Sequence, residues 1–149
     1  MAGLDRQARR TRRAMRVLRL LPAYLALGLA KHLVRLERLV RWAWRVPAGQ
    51  RDVVAEREIQ SDLDVLWRLT PLRDRDCLQR SLLLYRELSA AGSDPMLVTG
   101  IRRIDGRVEG HAWVVLDGRP CDAPSHVSQF EPLLTFGAHG EPVPLRASA

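Results

Sequence analysis

The sequence predicts an α+β fold, and three observations carry that expectation. Through the first 90 residues apolar side chains recur at helical spacing; after Gly92 they fall into short extended runs; and two Asp-Gly pairs, Asp105-Gly106 and Asp117-Gly118, divide those runs into antiparallel hairpins. Helices followed by hairpins give helices packed on a small antiparallel sheet. At 149 residues the chain suits one domain with a substantial core, read as a basic helical arm over residues 1–50 followed by the domain proper over 51–149.

Residues 4–45 read as one or two helices. Pro22 suits the first turn of the second, and Leu29, Leu33, Leu36, Val40 and Ala43 follow at helical spacing. "VPAGQ", residues 46–50, breaks the pattern, and a further helix is expected over 52–69 with Ile59, Leu63, Leu66 and Leu69 as its apolar positions and Pro71 as its stop. In "DRDCLQRSLLLYRELSAAG", residues 74–92, Asp76 can cap a helix with Gln79 at capping-box spacing. Leu78, Leu82, Tyr85 and Leu88 form its apolar face and Gly92 its stop. "PMLVTGIRR" and "RVEGHAWVVL" then pair across Asp105-Gly106, and "HAWVVL" meets "RPCDA" across Asp117-Gly118. Pro120 has no N–H to donate, which suits an edge strand. After Phe130 the sequence shows no clear period.

Charge is placed unevenly. Residues 1–45 hold 12 Lys/Arg against Asp5 and Glu37, a net of +10, and the remaining residues hold 12 against 15 Asp/Glu, a net of −3. The basic stripe brings no base-reading or base-stacking module, so nucleic acid is not the expected partner. A membrane surface, with Trp42 and Trp44 at the interface, or a partner protein docked on Leu33, Leu36 and Val40 suits it better. The apolar run "LLPAYLALGLA" is too short to span a bilayer. It could form the core of a signal peptide, but the basic, apolar-striped pattern continues through "KHLVRLERLVRWAWRVP", as in a longer helical unit. Two cysteines make neither a disulfide framework nor a structural zinc site, and a reduced, cytoplasmic protein is expected.

One constellation carries chemistry. At the first turn of its helix Cys77 meets unpaired N–H groups and the positive end of the helix dipole, both of which favour a thiolate. A two-residue turn at Asp117-Gly118 sets Val114 opposite Cys121 and Trp113 opposite Asp122, so Asp122 shares a face with Trp113 and His111. Cys121 falls on the other face. Asp117, six residues from His111, lies about 20 Å along the strand and cannot orient it. Singly these are a small helix-start residue, a satisfied histidine and a turn-flanking carboxylate. Together they supply a nucleophile, a base and an acceptor that fixes the base's tautomer.

The stretches "CLQRSLLLYRELSAAG", "MLVTGIRR", "GHAWVVLDGRP" and "CDAP" resemble the cysteine-peptidase branch of the transglutaminase-like superfamily that removes leader peptides from lasso peptide precursors. The resemblance covers residues 73–130. It implies a papain/transglutaminase-like core with Cys77 as nucleophile, His111 as general base and acid, Asp122 as orienting carboxylate, and no cofactor or metal. It also implies a split system, in which a separate leader-recognition protein delivers the precursor and a lasso cyclase acts next. Val115 stands where the family usually has glutamate, a departure that touches none of the three. Two other readings use the same residues differently: an acyl transferase with the same triad, and a noncatalytic adaptor docking to a membrane or partner through its arm.

Overall fold

The computed structural model describes residues 2–70 and 77–144. Among these residues four helices come first: α1 (Ala2–Ala30), α2 (Leu36–Ala43), α3 (Val53–Leu69) and α4 (Cys77–Ala90). Strands β1 (Met96–Ile104), β2 (Arg107–Leu116) and β3 (Arg119–Pro120) follow, then the short helix α5 (Pro124–Val127), strand β4 (Glu131–Phe136), a 3₁₀ turn at Ala138–Gly140 and strand β5 (Pro142–Val143). The strands form one antiparallel sheet in the order β3-β2-β1-β4-β5. The α+β expectation holds.

The core gathers around α4. Leu82, Leu83, Tyr85 and Leu88 are wholly buried, and they meet Val17, Tyr24 and Leu27 of α1, Leu39, Val40 and Ala43 of α2, Leu63 and Leu66 of α3, and Leu97, Val114 and Phe136 of the sheet. No residue of α4 is exposed, and its buried polar side chains Gln79, Ser81 and Ser89 each find a hydrogen-bond partner. Its end is the predicted one: Gly92 takes φ +84°, while Ser93 N–H donates to Leu88 O and Gly92 N–H to Ser89 O. Such a left-handed cap favours glycine. At the other end, Gln79 donates from Nε2 to Tyr24 O at 2.6 Å and rests on Gly28, where a Cβ would come within 2.5 Å of Nε2. The expected Asp76 cap and Pro71 stop lie outside the described residues.

Both Asp-Gly turns form as predicted. Asp105 and Gly106 have φ of 49° and 75°, Asp117 and Gly118 of 52° and 74°, the paired positive values of the tight hairpin turn whose twist matches that of the strands. Asp52 caps α3 by accepting from Val54 and Ala55 N–H.

Several expectations are corrected. Pro22 does not begin a second helix but lies inside a continuous α1. It is exposed, so water can reach the carbonyl it deprives of a partner, while Val17, Tyr24 and Leu27 hold the opposite face to the core. The chain turns instead after Ala30, with Lys31 and Val34 N–H groups bonded back to Leu27 and Ala30. This splits the predicted stripe: Leu29 and Leu33 are exposed while Val40 and Ala43 are buried, so Leu33, Leu36 and Val40 form no docking face. Leu69 is also exposed, because α3 meets the core through Leu63 and Leu66. Trp44 packs on Tyr85 and His139 and leaves Trp42 as the exposed one of the pair. Finally, the tail without a visible period contains β4, which pairs with β1 around an irregularity at Thr99/Gly100.

The arm is fastened electrostatically as well. Arg16 Nε lies 2.6 Å and Arg13 Nε 3.3 Å from the buried Asp62 carboxylate of α3. Burying a carboxylate unpaired is costly, and two guanidinium groups offset that cost. The closing segment is held by Tyr85, whose buried hydroxyl donates to Gly137 O at 2.5 Å and accepts from Gly140 N–H at 3.0 Å. Tyr85→Phe removes the hydroxyl from two buried backbone groups, leaving them only the 3.2 Å bond from Gly140 N–H to Gly137 O, and should destabilise the fold by about 1–3 kcal/mol. The check is the urea midpoint, and an unchanged midpoint would show that this contact does not anchor the segment.

Candidate active site

Helix α4 begins at Cys77, so the thiol stands beside N–H groups that have no intrahelical partner. One turn on, Ser81 Oγ donates to Ala112 O of β2 at 2.9 Å. That bond fixes the start of the helix against the strand next to His111. The hairpin register is the predicted one, with Leu116 opposite Arg119, Val115 opposite Pro120 and Cys121 N–H donating to Val114 O at 2.8 Å. Strand β3 ends at Pro120, so Asp122 lies just beyond the strand rather than on it. It still reaches the expected face: His111 Nε2 stands 3.5 Å from Asp122 Oδ2.

The structure brings Cys77, His111 and Asp122 together. The Nε2 to Oδ2 approach is an ion-pair contact longer than a formed hydrogen bond, and Nε2 is buried with no hydrogen-bond partner among the described residues. Catalytic contacts in an unliganded site are often long and tighten when substrate binds. With Nε2 turned to the carboxylate, Nδ1 is the ring nitrogen left to serve the thiol. The facing Asp122 and then Cys77 raise His111 to about 9 against the opposing effect of burial. Burial works against a thiolate at Cys77, yet His111 and the N–H groups of Ala112 and Leu78 outweigh it and hold the thiol below its ordinary range. Burial likewise raises Asp122, and His111 and Arg80 more than reverse it. The three shifts agree in direction, each towards the charged form of its group: thiolate, imidazolium and carboxylate.

Cys121 and Asp117 are kept out. Cys121 packs against the core, and burial followed by the Asp122 charge pushes its thiol up to about 11. Asp117 sits at the hairpin tip, where both its oxygens accept from Arg51 at 2.9 and 2.5 Å. Arg51 also grips the buried Glu56, so this network ties the turn to α3.

Several residues around the site were not singled out by sequence. Arg80, one turn after Cys77, reaches Asp122 Oδ1 at 3.3 Å and Asp64 at 2.9 Å while its guanidinium lies 5.6 Å from the Trp67 ring centre. Asp122 is thereby held on one oxygen by Arg80 and faces His111 with the other. The only sequence signal was its place three residues beyond the cysteine. His111 is walled by Trp113, Phe130 and His126, with ring centres 5.9, 4.9 and 4.7 Å away. Gly100, directly opposite His111, leaves room for Trp113, since a Cβ there would come within 2.9 Å of the indole and 2.6 Å of Glu131 O. Behind Asp122 a cavity of about 310 Å³ is lined by Gln60, Asp64, Arg80 and His126 among others. Among the described residues no cluster of His, Cys, Asp and Glu could hold a metal ion.

The model of the transglutaminase-like superfamily matches residues 16–135, a span that begins inside α1 and includes the whole constellation. No curated protein and no solved structure matches the chain.

The two thiols should differ sharply in reactivity. With iodoacetamide at pH 6 Cys77 should alkylate at least about 10²-fold faster than Cys121, because His111 holds the first thiol below its ordinary range while burial pushes the second up to about 11, so that a far larger fraction of Cys77 is thiolate. Peptide mapping of the labelled protein reads the ratio, and equal slow rates would show that Cys77 is not activated.

Proposed function

Because the chain belongs to the transglutaminase-like superfamily, we propose that it is a cysteine peptidase with Cys77 as nucleophile, His111 as general base and acid, and Asp122 as the carboxylate that orients His111. The observation that supports this reading is the placement of a helix-start thiol beside an imidazole whose other nitrogen faces a buried carboxylate. The Cys77 thiolate attacks the scissile carbonyl carbon, and the Cys77 backbone N–H faces the oxyanion that forms. As the C–N bond breaks, imidazolium His111 gives its proton to the leaving amine, leaving a thioester on Cys77. Water, deprotonated by His111, attacks the thioester and releases the acid and the thiolate. Asp122 stabilises the imidazolium in both half-reactions, and Arg80 is a positioning residue acting through Asp122.

The substrate proposed is the leader of a lasso peptide precursor, removed before macrolactam formation by a cyclase. This rests on the resemblance of the "CLQRS" and "GHAWVVLDG" segments. The separate recognition protein has an additional argument. A leader can bind by adding a strand to a sheet edge, but both edges here, β3 and β5, are two residues long and contain Pro120 and Pro142. Among the described residues before Cys77 the regular elements are helices.

Cys77→Ala and His111→Ala should each lower cleavage of the cognate leader by about 10³-fold or more while leaving the fold intact, and Asp122→Asn should leave weak activity. Asp117→Asn should be near wild type. The wild-type kcat/KM should fall as the pH rises through about 9, where His111 loses the proton it must donate. Since Asp122 is the largest influence raising that value, the fall should begin at lower pH in Asp122→Asn. An inactive Asp117→Asn beside a fully active Asp122→Asn would overturn the assignment.

Titrating the recognition protein into a cleavage assay at fixed precursor should raise the rate, mostly through a lower KM. The gain should reach about 10²–10⁴-fold, because tethering raises the local concentration of substrate and transition state alike. Full activity of the isolated chain at low micromolar precursor, unchanged by the partner, would leave a self-sufficient peptidase.

A further inference from the structure

Helix α1 turns a second apolar face away from the core. Met15, Leu18, Leu25 and Leu29 are each more than half exposed, and Leu33 follows in the turn at 74%. Leu18, Leu25 and Leu29 lie at seven- and four-residue spacing on one side of the helix, with the exposed Pro22 between them. On one flank Leu18 and Leu21 share a groove with Val65 and Leu69 of α3. On the other, Ala23, Ala26 and Ala30 share a groove with Trp42 of α2. The apolar surface therefore runs across three helices, with Leu69 at 72% and Trp42 at 59% exposure towards its margins.

Its charge has one sign. No Asp or Glu occurs between Asp5 and Glu37. Arg13 and Arg16 turn towards α3 to meet Asp62, but Arg12 and Arg19 of α1 and Arg38 of α2 are exposed and make no ion pair among the described residues. Arg12 and Arg19, seven residues apart, line one flank of the stripe, and Arg38 stands one turn before Trp42.

We propose that this face binds the surface of an anionic lipid bilayer, with α1 lying in the plane of the interface. A leucine stripe with a tryptophan at its margin suits the boundary between headgroups and acyl chains. Free guanidinium groups without a carboxylate among them suit phosphate headgroups, whose charge has the same sign in every direction. Over its 29 residues α1 would lie along about 43 Å of membrane. Among the described residues no helix is long and apolar enough to cross a membrane, so the contact is peripheral. Since α4 packs between α1 and β2, the sheet points away from the lipid.

The test is flotation of the full chain with phosphatidylcholine vesicles, with and without phosphatidylglycerol, at low and high salt. The protein should float with the anionic vesicles at low salt and be released by high salt. Arg12→Gln with Arg19→Gln should weaken partitioning about 30-fold, about fivefold for each arginine. Leu25→Asp with Leu29→Asp should abolish it without shifting the thermal midpoint, since both side chains are exposed. Failure of the intact chain to float with anionic vesicles, equal binding to neutral ones, or normal binding by the leucine variant would overturn the proposal. If the leucine variant floated normally yet no longer co-eluted with the recognition protein on gel filtration, the face would belong to that partner instead. No cleavage is measured, so the outcome is separate from the role of Cys77.

Discussion

The hydrogen bond from Ser81 to Ala112 O joins α4 to β2 where the thiol meets the imidazole. Ser81 follows Cys77 by one helical turn and Ala112 is the neighbour of His111, so one buried contact of 2.9 Å sets the spacing of thiol and imidazole. A one-residue slide of the helix would strand a hydroxyl and a carbonyl without water, at about 1–3 kcal/mol for each unmet group. It would also move Leu82, Leu83, Tyr85 and Leu88 out of positions where they are wholly buried. The remaining contacts of α4 reinforce the same placement from other sides, with Gln79 seated on Gly28 and the Tyr85 hydroxyl closing on Gly137 and Gly140. Precision at the proposed nucleophile thus comes from packing along the length of the helix that begins with it.

Charges around the site alternate. From Asp64 through Arg80, Asp122 and His111 to Cys77, each group stands beside one of opposite sign when the thiol is ionised. Partial burial strengthens the steps from Arg80 inward, since the effective dielectric falls as water is excluded. The arrangement explains how a half-buried thiol can be acidic: burial alone would raise it, as it does at Cys121, and the difference between the two cysteines lies in what faces them. His126 stands by the same imidazole edge-on and contributes to the field at Asp122, so a second titratable ring borders the site.

What the sequence revealed depended on whether a local rule set the geometry. The Asp117-Gly118 pair dictates a tight turn, the turn dictates register, and register alone put Asp122 on the face of His111 although β3 stops two residues earlier. Gly92 was legible for the same reason, as a cap whose chemistry is local. β4 was not, because Pro132 and the exposed Leu133 and Leu134 carry no alternating pattern, and only pairing with β1 makes the segment a strand. Arg80 escaped notice because a helical arginine is ordinarily a solvated charge, and its use depends on Asp122, which is 42 residues away in sequence and adjacent only after folding.

The first helix shows how an amphipathic reading can fail. Val17, Tyr24 and Leu27 face the core while Leu18, Leu25 and Leu29 face outward, so two apolar stripes lie side by side in sequence, and a single-stripe template cannot tell them apart. The arginines divide in the same way, Arg13 and Arg16 holding Asp62 inside and Arg12 and Arg19 left outside. Core packing crosses residue 50, as Leu39, Val40 and Ala43 belong with Leu63, Leu66 and the α4 leucines to one buried cluster. The charge imbalance of the first 45 residues therefore describes the outer face of this layer more than its inner one. A helix needs only one apolar face to join a core; the leucines on the other face of α1 stay more than half exposed, and the charge beside them is the ground on which a lipid surface is proposed as their partner.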